Sequence, residues 1–260
     1  MKKGTCSVLA DPSSYSCYTE KELKVLKREY NKTYRRKITS SSGKAIWKDL
    51  ATLLPCKNES CFSKTLKVKT TSFAPPAPDS WKKNPREWLS SMEFLSLYKQ
   101  YEQAFPQVRF YGPSAADYDY KMENGKCEFD DMCTLDVRTL PREVKQLAAI
   151  FNIDTHEKGG SHWVALFVSI RKKEVYYFDS AGSRITSHIK RFYEQIHSQD
   201  PAYKFYENAP IAHQRGTSEC GIYAIFFILV MIRTENFSYF LEKRWKDSTM
   251  LALRRKLFDF

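Results

Sequence analysis

A chain of 260 residues, 42% hydrophobic and 15% aromatic, has enough apolar surface for one substantial core and a smaller appended domain, which excludes a disordered polymer. The formal net charge is +12, and residues 1–70 hold 16 Lys and Arg against 6 Asp and Glu, so the first quarter is the basic part of the molecule. The one long apolar run, Ile222 to Ile232, is about half the length needed to cross a bilayer and reads as a buried helix.

In chain order, "TEKELKVLKREYNKTYRRK" predicts a basic amphipathic helix. Thr19 is its N-cap, with Glu22 three positions on in a capping-box pattern, and Leu23, Leu26, Tyr30 and Tyr34 recur at helical spacing. "SSSG" interrupts it at Gly43, and a short helix from Ile46 to Leu54 is expected before Pro55. "TTSFAPPAPDS" reads as a semi-rigid linker. The expected domains are 1–80, a basic helical arm with its Pro-rich linker, and 81–260, a catalytic domain.

From Pro85 a helix is expected with Trp88, Leu95, Tyr98 and Phe105 on one face, then an irregular acidic surface segment from Gly112 to Arg138. "LAAIFNID", "HWVALFVSI" and "EVYYFDS" are β-rich, the last two joined through "RKK" as a hairpin. Ile185, Ile189, Phe192, Tyr193 and Ile196 mark an amphipathic helix, "YKFYEN" a strand, and a buried helix opens at Cys220. "STMLALRRKLFDF" is a last helix capped by Ser248. This order implies an α+β fold, a sheet packed on a central buried helix.

Seven cysteines (Cys6, Cys17, Cys56, Cys61, Cys127, Cys133 and Cys220) form an odd set, and after "MKK" only "CSVLA" is apolar, too short for a signal-peptide core. A reducing, intracellular setting with free thiols is expected. Cys56, Cys61, Cys127 and Cys133 do not have the spacing of a zinc site.

A thiol becomes a nucleophile near neutral pH when a helix N-terminus or an imidazolium favours its thiolate. Cys220 stands at such a helix start, with Gly221 allowing a tight turn. Of the five histidines, His156 lies in a polar loop, His188 and His197 on an amphipathic helix, and His213 just ahead of the thiol segment. His162, in "GGSHWVALFV", is anchored at the start of a strand and is the expected base. Asp179 ends the next strand, and a hairpin would bring it beside His162 as the acceptor that orients the ring. Gln214 offers a side-chain amide that, with the Cys220 N–H, would serve an oxyanion. Arg215 competes for that role, but its length points to the surface.

"GGSHWVALFV", "YYFDSAG" and "HQRGTSECGIY" resemble the His, Asp and Gln-x5-Cys-Gly segments of the adenain-like and SUMO-protease-like cysteine peptidases, above all the processing proteases of large cytoplasmic DNA viruses. The likeness covers about 150 residues, from Glu87 to around Ile232. It implies a papain-like-related core with a mixed central sheet on the buried helix that begins at the nucleophile. It also implies that Trp163 roofs a narrow tunnel in which only glycine lies flat, so that substrates carry Gly-Gly or Ala-Gly before the scissile bond. Such substrates would be viral precursor proteins cut during virion maturation, in the host cytoplasm or virus factory and in the virion.

No metal or organic cofactor is required by this chemistry. The basic first 70 residues would hold DNA or another acidic scaffold. Alternatives are an isopeptidase acting on SUMO- or ubiquitin-like modifiers, a transferase using the same triad, and an inactive nucleic-acid-binding virion protein on a protease fold. The segment after Trp88 and Leu89 departs from the acidic pattern of SUMO proteases, which weighs toward polyprotein cleavage.

Overall fold

The computed structural model describes residues 5–11 and 13–260; Lys2 and Lys3, part of the basic count, lie outside them. The chain divides into two units, Met1–Lys82 with Arg254–Phe260, and Lys83–Leu253.

In the first unit, helix α1 (Glu20–Thr33) opens on a complete capping box: the Glu22 N–H donates to Thr19 Oγ1 at 3.2 Å and the Thr19 N–H to Glu22 Oε2 at 2.8 Å. Each such cap is worth about 1 kcal/mol. Leu23, Leu26 and Tyr30 are buried against Ile46 and Leu50 of α2 (Gly43–Leu53), with Phe62 of α3 (Ser60–Thr65) in the same cluster. Gly43 thus begins a helix capped by Ser42. Beneath this cluster, the buried Glu59 carboxylate accepts from Ser16 Oγ (2.6 Å), the Cys17 N–H (3.0 Å) and Trp47 Nε1 (2.6 Å).

The last seven residues belong to this unit, whereas the sequence placed them in a domain running to residue 260. The reason is aromatic: the Trp81 ring meets Phe258 edge-on at 5.0 Å and Phe260 at 5.6 Å, and the Arg254 guanidinium lies over it at 3.9 Å. The Asp259 N–H also donates to Pro75 O and its carbonyl accepts from Ala77 N. The unit boundary therefore falls inside α8 (Asp247–Leu257), which begins one residue before the expected Ser248 cap.

The cysteine expectation is corrected. Cys6–Cys17, Cys56–Cys61 and Cys127–Cys133 are disulfides with Cα separations of 5.2, 5.7 and 6.4 Å, and Cys220 is the free thiol. These separations lie in the range a disulfide spans. Sequence spacing carries no distance information, so it could not distinguish paired from reduced thiols.

The second unit is built on one mixed sheet of β1 (Val108–Ser114), β2 (Gln146–Asn152), β3 (Trp163–Ser169), β4 (Glu174–Phe178) and β5 (Lys204–Glu207), in that spatial order. The outer pairs are parallel and β2–β3 and β3–β4 antiparallel. Every residue of β2 and β3 is buried, the pattern of strands covered on both faces. On one face Val164, Leu166 and Val168 pack with Ile189, Phe192 and Ile196 of α6 (Ser187–Gln199). On the other, Phe178 stacks on Phe227 of α7 (Cys220–Thr234) at 5.0 Å. Burying each such side chain contributes about 1.5–3 kcal/mol.

Two expectations fail here. The sequence pattern predicts loop from Gly112 to Arg138, yet the segment includes the short helix α5 (Asp130–Cys133) and the end of β1, which pairs in parallel with β2 at the sheet edge. Its Gly112–Pro113 pair and exposed Arg109 disguise a strand pattern. The helix expected from Pro85 is α4 (Ser91–Ala104), opened by a Ser90–Glu93 capping box. Its buried face is Phe94, Leu97, Tyr98 and Tyr101, while Trp88 and Leu95 are 45% and 48% exposed. Among the described residues no helix is long and apolar enough to cross a membrane.

Candidate active site

The β3–β4 hairpin sets Ala165 opposite Phe178. His162 lies just ahead of β3 and Asp179 just after β4, so the two meet at one end of the hairpin. His162 Nε2 and Asp179 Oδ1 are 2.6 Å apart, with side-chain exposures of 17% and 3%. The carboxylate is fixed by its own turn, since Oδ1 also accepts from the Ala181 N–H (2.8 Å) and Oδ2 from the Ser183 N–H (3.2 Å). Asn208, buried after β5, holds the Asp179 backbone from both sides: its Oδ1 accepts the Asp179 N–H at 2.9 Å and its Nδ2 donates to the Asp179 carbonyl at 2.8 Å.

The Cys220 sulfur is near enough to the same imidazole to favour its charged form. With Nε2 on the carboxylate, Nδ1 is the nitrogen left for sulfur. Burial opposes charge on the His162 ring, yet the Asp179 hydrogen bond and then the Cys220 contact outweigh it and raise its pKa to about 10. Cys220 is the first residue of α7, and no side chain caps that helix. Its N-terminal N–H groups therefore remain for an anion.

Gln214 is held close by. Its Oε1 accepts from Ser180 Oγ at 2.7 Å, its backbone N–H donates to Ser180 O, and one N–H of Nε2 donates to Gly216 O at 2.8 Å. The amide plane is thereby fixed and its second N–H remains. Gly221 has a different role from the tight turn expected of it: it is helical, and a Cβ there would stand 3.1 Å from Leu89 Cβ and Phe94 Cζ. A side chain at 221 would press Leu89 and Phe94 back by a few tenths of an ångström, so glycine lets α7 sit close to them.

Trp163 is 9% exposed, donates Nε1–H to Leu89 O at 2.8 Å, and meets Phe94 edge-on at 4.8 Å. It lines a cavity of about 500 Å³ with Trp88, Leu89, Gly159 and Gly160 among others. His213, the other candidate base, is buried in the core: Nε2–H donates to Phe240 O at 3.0 Å and Nδ1 accepts the Trp245 N–H at 3.2 Å. Burial lowers its proton affinity, and both nitrogens are engaged. Ser180 and Asn208 escaped the sequence reading. Ser180 follows Asp179 directly in "FDSAG", so its position was visible, whereas only the β4–β5 pairing brings Asn208 to the turn.

An imidazole held between a buried carboxylate and a thiol at the head of a buried helix, on a mixed sheet, is the constellation of a thiol protease. Residues 90–259 match the Ulp1 protease family, C-terminal catalytic domain, and the chain belongs to that family. It is 32% identical over 162 residues to a thiol protease of Acanthamoeba polyphaga mimivirus, covering 58% of this chain and 50% of that protein. It is 29% identical over 127 residues to a cysteine protease of African swine fever virus, covering 46% of each. The chain thus spans about half the length of these relatives.

The fold is similar to the crystal structure of the African swine fever virus protease, with a TM-score of 0.66 at 20% identity over 100% of this chain and 98% of that one. It is also similar to the Ulp1 C-terminal protease domain in complex with Smt3, the yeast orthologue of SUMO, at 0.50 and 14% identity, covering 92% and 93%. At such identities the likeness concerns the fold.

Proposed function

We propose that this chain is a viral cysteine endopeptidase that cuts precursor proteins after Gly-Gly-type sites, with Cys220 as nucleophile, His162 as acid and base, and Asp179 as the group that orients His162. The observation that carries the reading is the 2.6 Å contact between His162 and the buried Asp179, on a ring whose charged form the nearby Cys220 sulfur also favours.

In this mechanism Asp179 stabilises the imidazolium that forms when His162 takes the thiol proton. Sulfur attacks the scissile carbonyl, and the oxygen that becomes negative receives the Cys220 N–H and the second N–H of Gln214. The His162 imidazolium then protonates the departing amine, leaving a thioester. Water, deprotonated by His162, adds to the thioester, and the carboxylate product leaves as the thiol is restored. The papain-like character lies in this pairing of a helix-head thiol with a remote imidazole.

Gly-Gly specificity is supported by the resemblance of "GGSHWVALFV" to its family and by the indole of Trp163, pinned by Leu89 and Phe94 beside the base. The N-terminal arm is the candidate for DNA or an acidic scaffold, because α1 exposes Lys21, Lys24, Arg28 and Lys32 along its outer side. Virion maturation in the cytoplasmic factory is the setting this reading assigns.

The test uses the full chain and Cys220→Ser against peptides carrying Gly-Gly, Ala-Gly or Leu-Leu before a reporter. Cleavage after the second glycine by the native chain alone supports the proposal. No cleavage, with Cys220 inert to alkylation and DNA affinity intact, defeats it in favour of an inactive nucleic-acid-binding protein. A second reading, an isopeptidase for SUMO-like modifiers, is favoured by the fold shared with the Smt3-bound domain. Cleavage of a SUMO-linked reporter but of no precursor-type peptide would select it.

A further inference from the structure

The cavity that ends at Trp163 is also lined by His156, in the loop between β2 and β3. Three contacts anchor this histidine. Its Nδ1 lies 2.6 Å from Asp117 Oδ2, its backbone N–H donates to Asp117 Oδ1 at 2.8 Å, and its ring stacks on Tyr120 with centroids 3.7 Å apart. Asp117 is itself 9% exposed. A carboxylate on Nδ1 fixes the tautomer, so Nε2 is the nitrogen left for the groove. Of the main-chain path past it, Gly159 and Gly160 present no side chain, and Gly160 (φ +81°) is packed so tightly that a Cβ would fall 2.6 Å from Asn152 Nδ2.

We propose that His156 is a specificity-determining residue, whose Nε2–H binds a backbone carbonyl of an extended substrate upstream of the scissile bond. This rests on the peptidase reading.

The charges around the ring select the acceptor. Asp117 balances an imidazolium, while Glu128 and Glu157 add negative potential at the ring, and Asp154 is met by Lys158 at 3.9 Å. A substrate carboxylate would enter a site already negative, whereas a neutral carbonyl gains the donor without that repulsion. The glycine-lined wall lets a main chain approach closely. The Asp117 hydrogen bond, against some desolvation, raises the proton affinity of His156. Nε2 is a donor in the imidazolium form, which Asp117 extends to higher pH than in an isolated histidine; once that proton is lost Nε2 is an acceptor and repels the same carbonyl.

The experiment measures kcat and KM for Gly-Gly reporters extended upstream by one residue at a time, with the native chain, His156→Ala and Asp117→Asn. Reporters too short to reach His156 should be cleaved alike by the native chain and His156→Ala. Beyond a threshold length the native KM should fall about tenfold, the size of one charge-assisted hydrogen bond, and His156→Ala should lose this gain with kcat unchanged. The gain should fade with rising pH, and at lower pH in Asp117→Asn. An ester in place of the upstream amide, tested on the native chain, should weaken the carbonyl and reproduce the loss without any variant.

A length gain that survives both His156→Ala and the ester overturns the proposal while leaving the peptidase reading intact. A gain seen only with Asp or Glu in the substrate overturns the carbonyl assignment. If the native chain cleaves even the short reporters nowhere, the peptidase reading itself fails.

Discussion

Ser180 Oγ donates to Gln214 Oε1 at 2.7 Å, and the same residue's carbonyl accepts the Gln214 backbone N–H. Ser180 is the immediate neighbour of Asp179, so one turn both orients the imidazole and aims the amide. In the proposed mechanism this places the anchors of the acid–base and oxyanion groups on two consecutive residues. Gln214→Ala is expected to lower kcat about 100-fold, the usual cost of one oxyanion donor. Ser180→Ala should cost about tenfold, because it releases the amide without deleting it. Both should leave the rate of Cys220 alkylation near the native value, a readout that separates oxyanion binding from thiol activation.

The pH dependence follows from His162. Its pKa is raised to about 10, so its charged form is favoured by the fold. The stability this contributes is complete below the ordinary histidine value near 6.5 and is lost as pH rises through the folded value. Asp179→Asn retains an acceptor but removes the negative charge. The alkaline limb of kcat/KM is expected to move to lower pH in this variant, with kcat reduced, as a pH–rate profile would read directly. An unmoved limb would show that Asp179 does not govern the protonation of His162.

Gly182 closes the turn after Asp179 with φ +76°, and a Cβ there would lie 2.6 Å from Ala212 N and 2.7 Å from Ile211 C. These are backbone atoms of the strap leading to Gln214, which cannot swing aside as a side chain would. Gly182→Ala is expected to destabilise the protein by about 1–3 kcal/mol and to reduce kcat, by displacing Asp179 or Gln214. Urea denaturation and steady-state kinetics measure the two effects together.

Six of the seven cysteines are paired. Alkylation of the native protein without reductant should label Cys220 alone, and peptide mapping should recover the three crosslinks. Labelling of Cys127 and Cys133 in the folded, unreduced chain would contradict the pairing.

Much of the site could be read from one dimension because it depends on local rules. A hairpin between two apolar runs brings the residue before one strand beside the residue after the other, which is how His162 meets Asp179. An apolar run too short for a membrane makes a buried helix, and a helix start orients backbone N–H groups at Cys220. The capping boxes at Thr19 and Ser90 are equally local; reading the second would have started α4 at Ser91 and given its true buried face.

What lay out of reach depends on contacts between distant segments. Edge strand β1 is a strand because it pairs with β2, not because of its own pattern. Disulfide partners, the reason for Gly221, and the hold of Asn208 on Asp179 all require knowing which surfaces come within a few ångströms. The sequence by itself determined the types of chemical group and their local periodicity, since these follow from covalent order and backbone geometry. Only the tertiary structure decided which groups share a site, because burial, packing clearance and hydrogen-bond partnership are properties of distance in space, to which separation along the chain gives no measure.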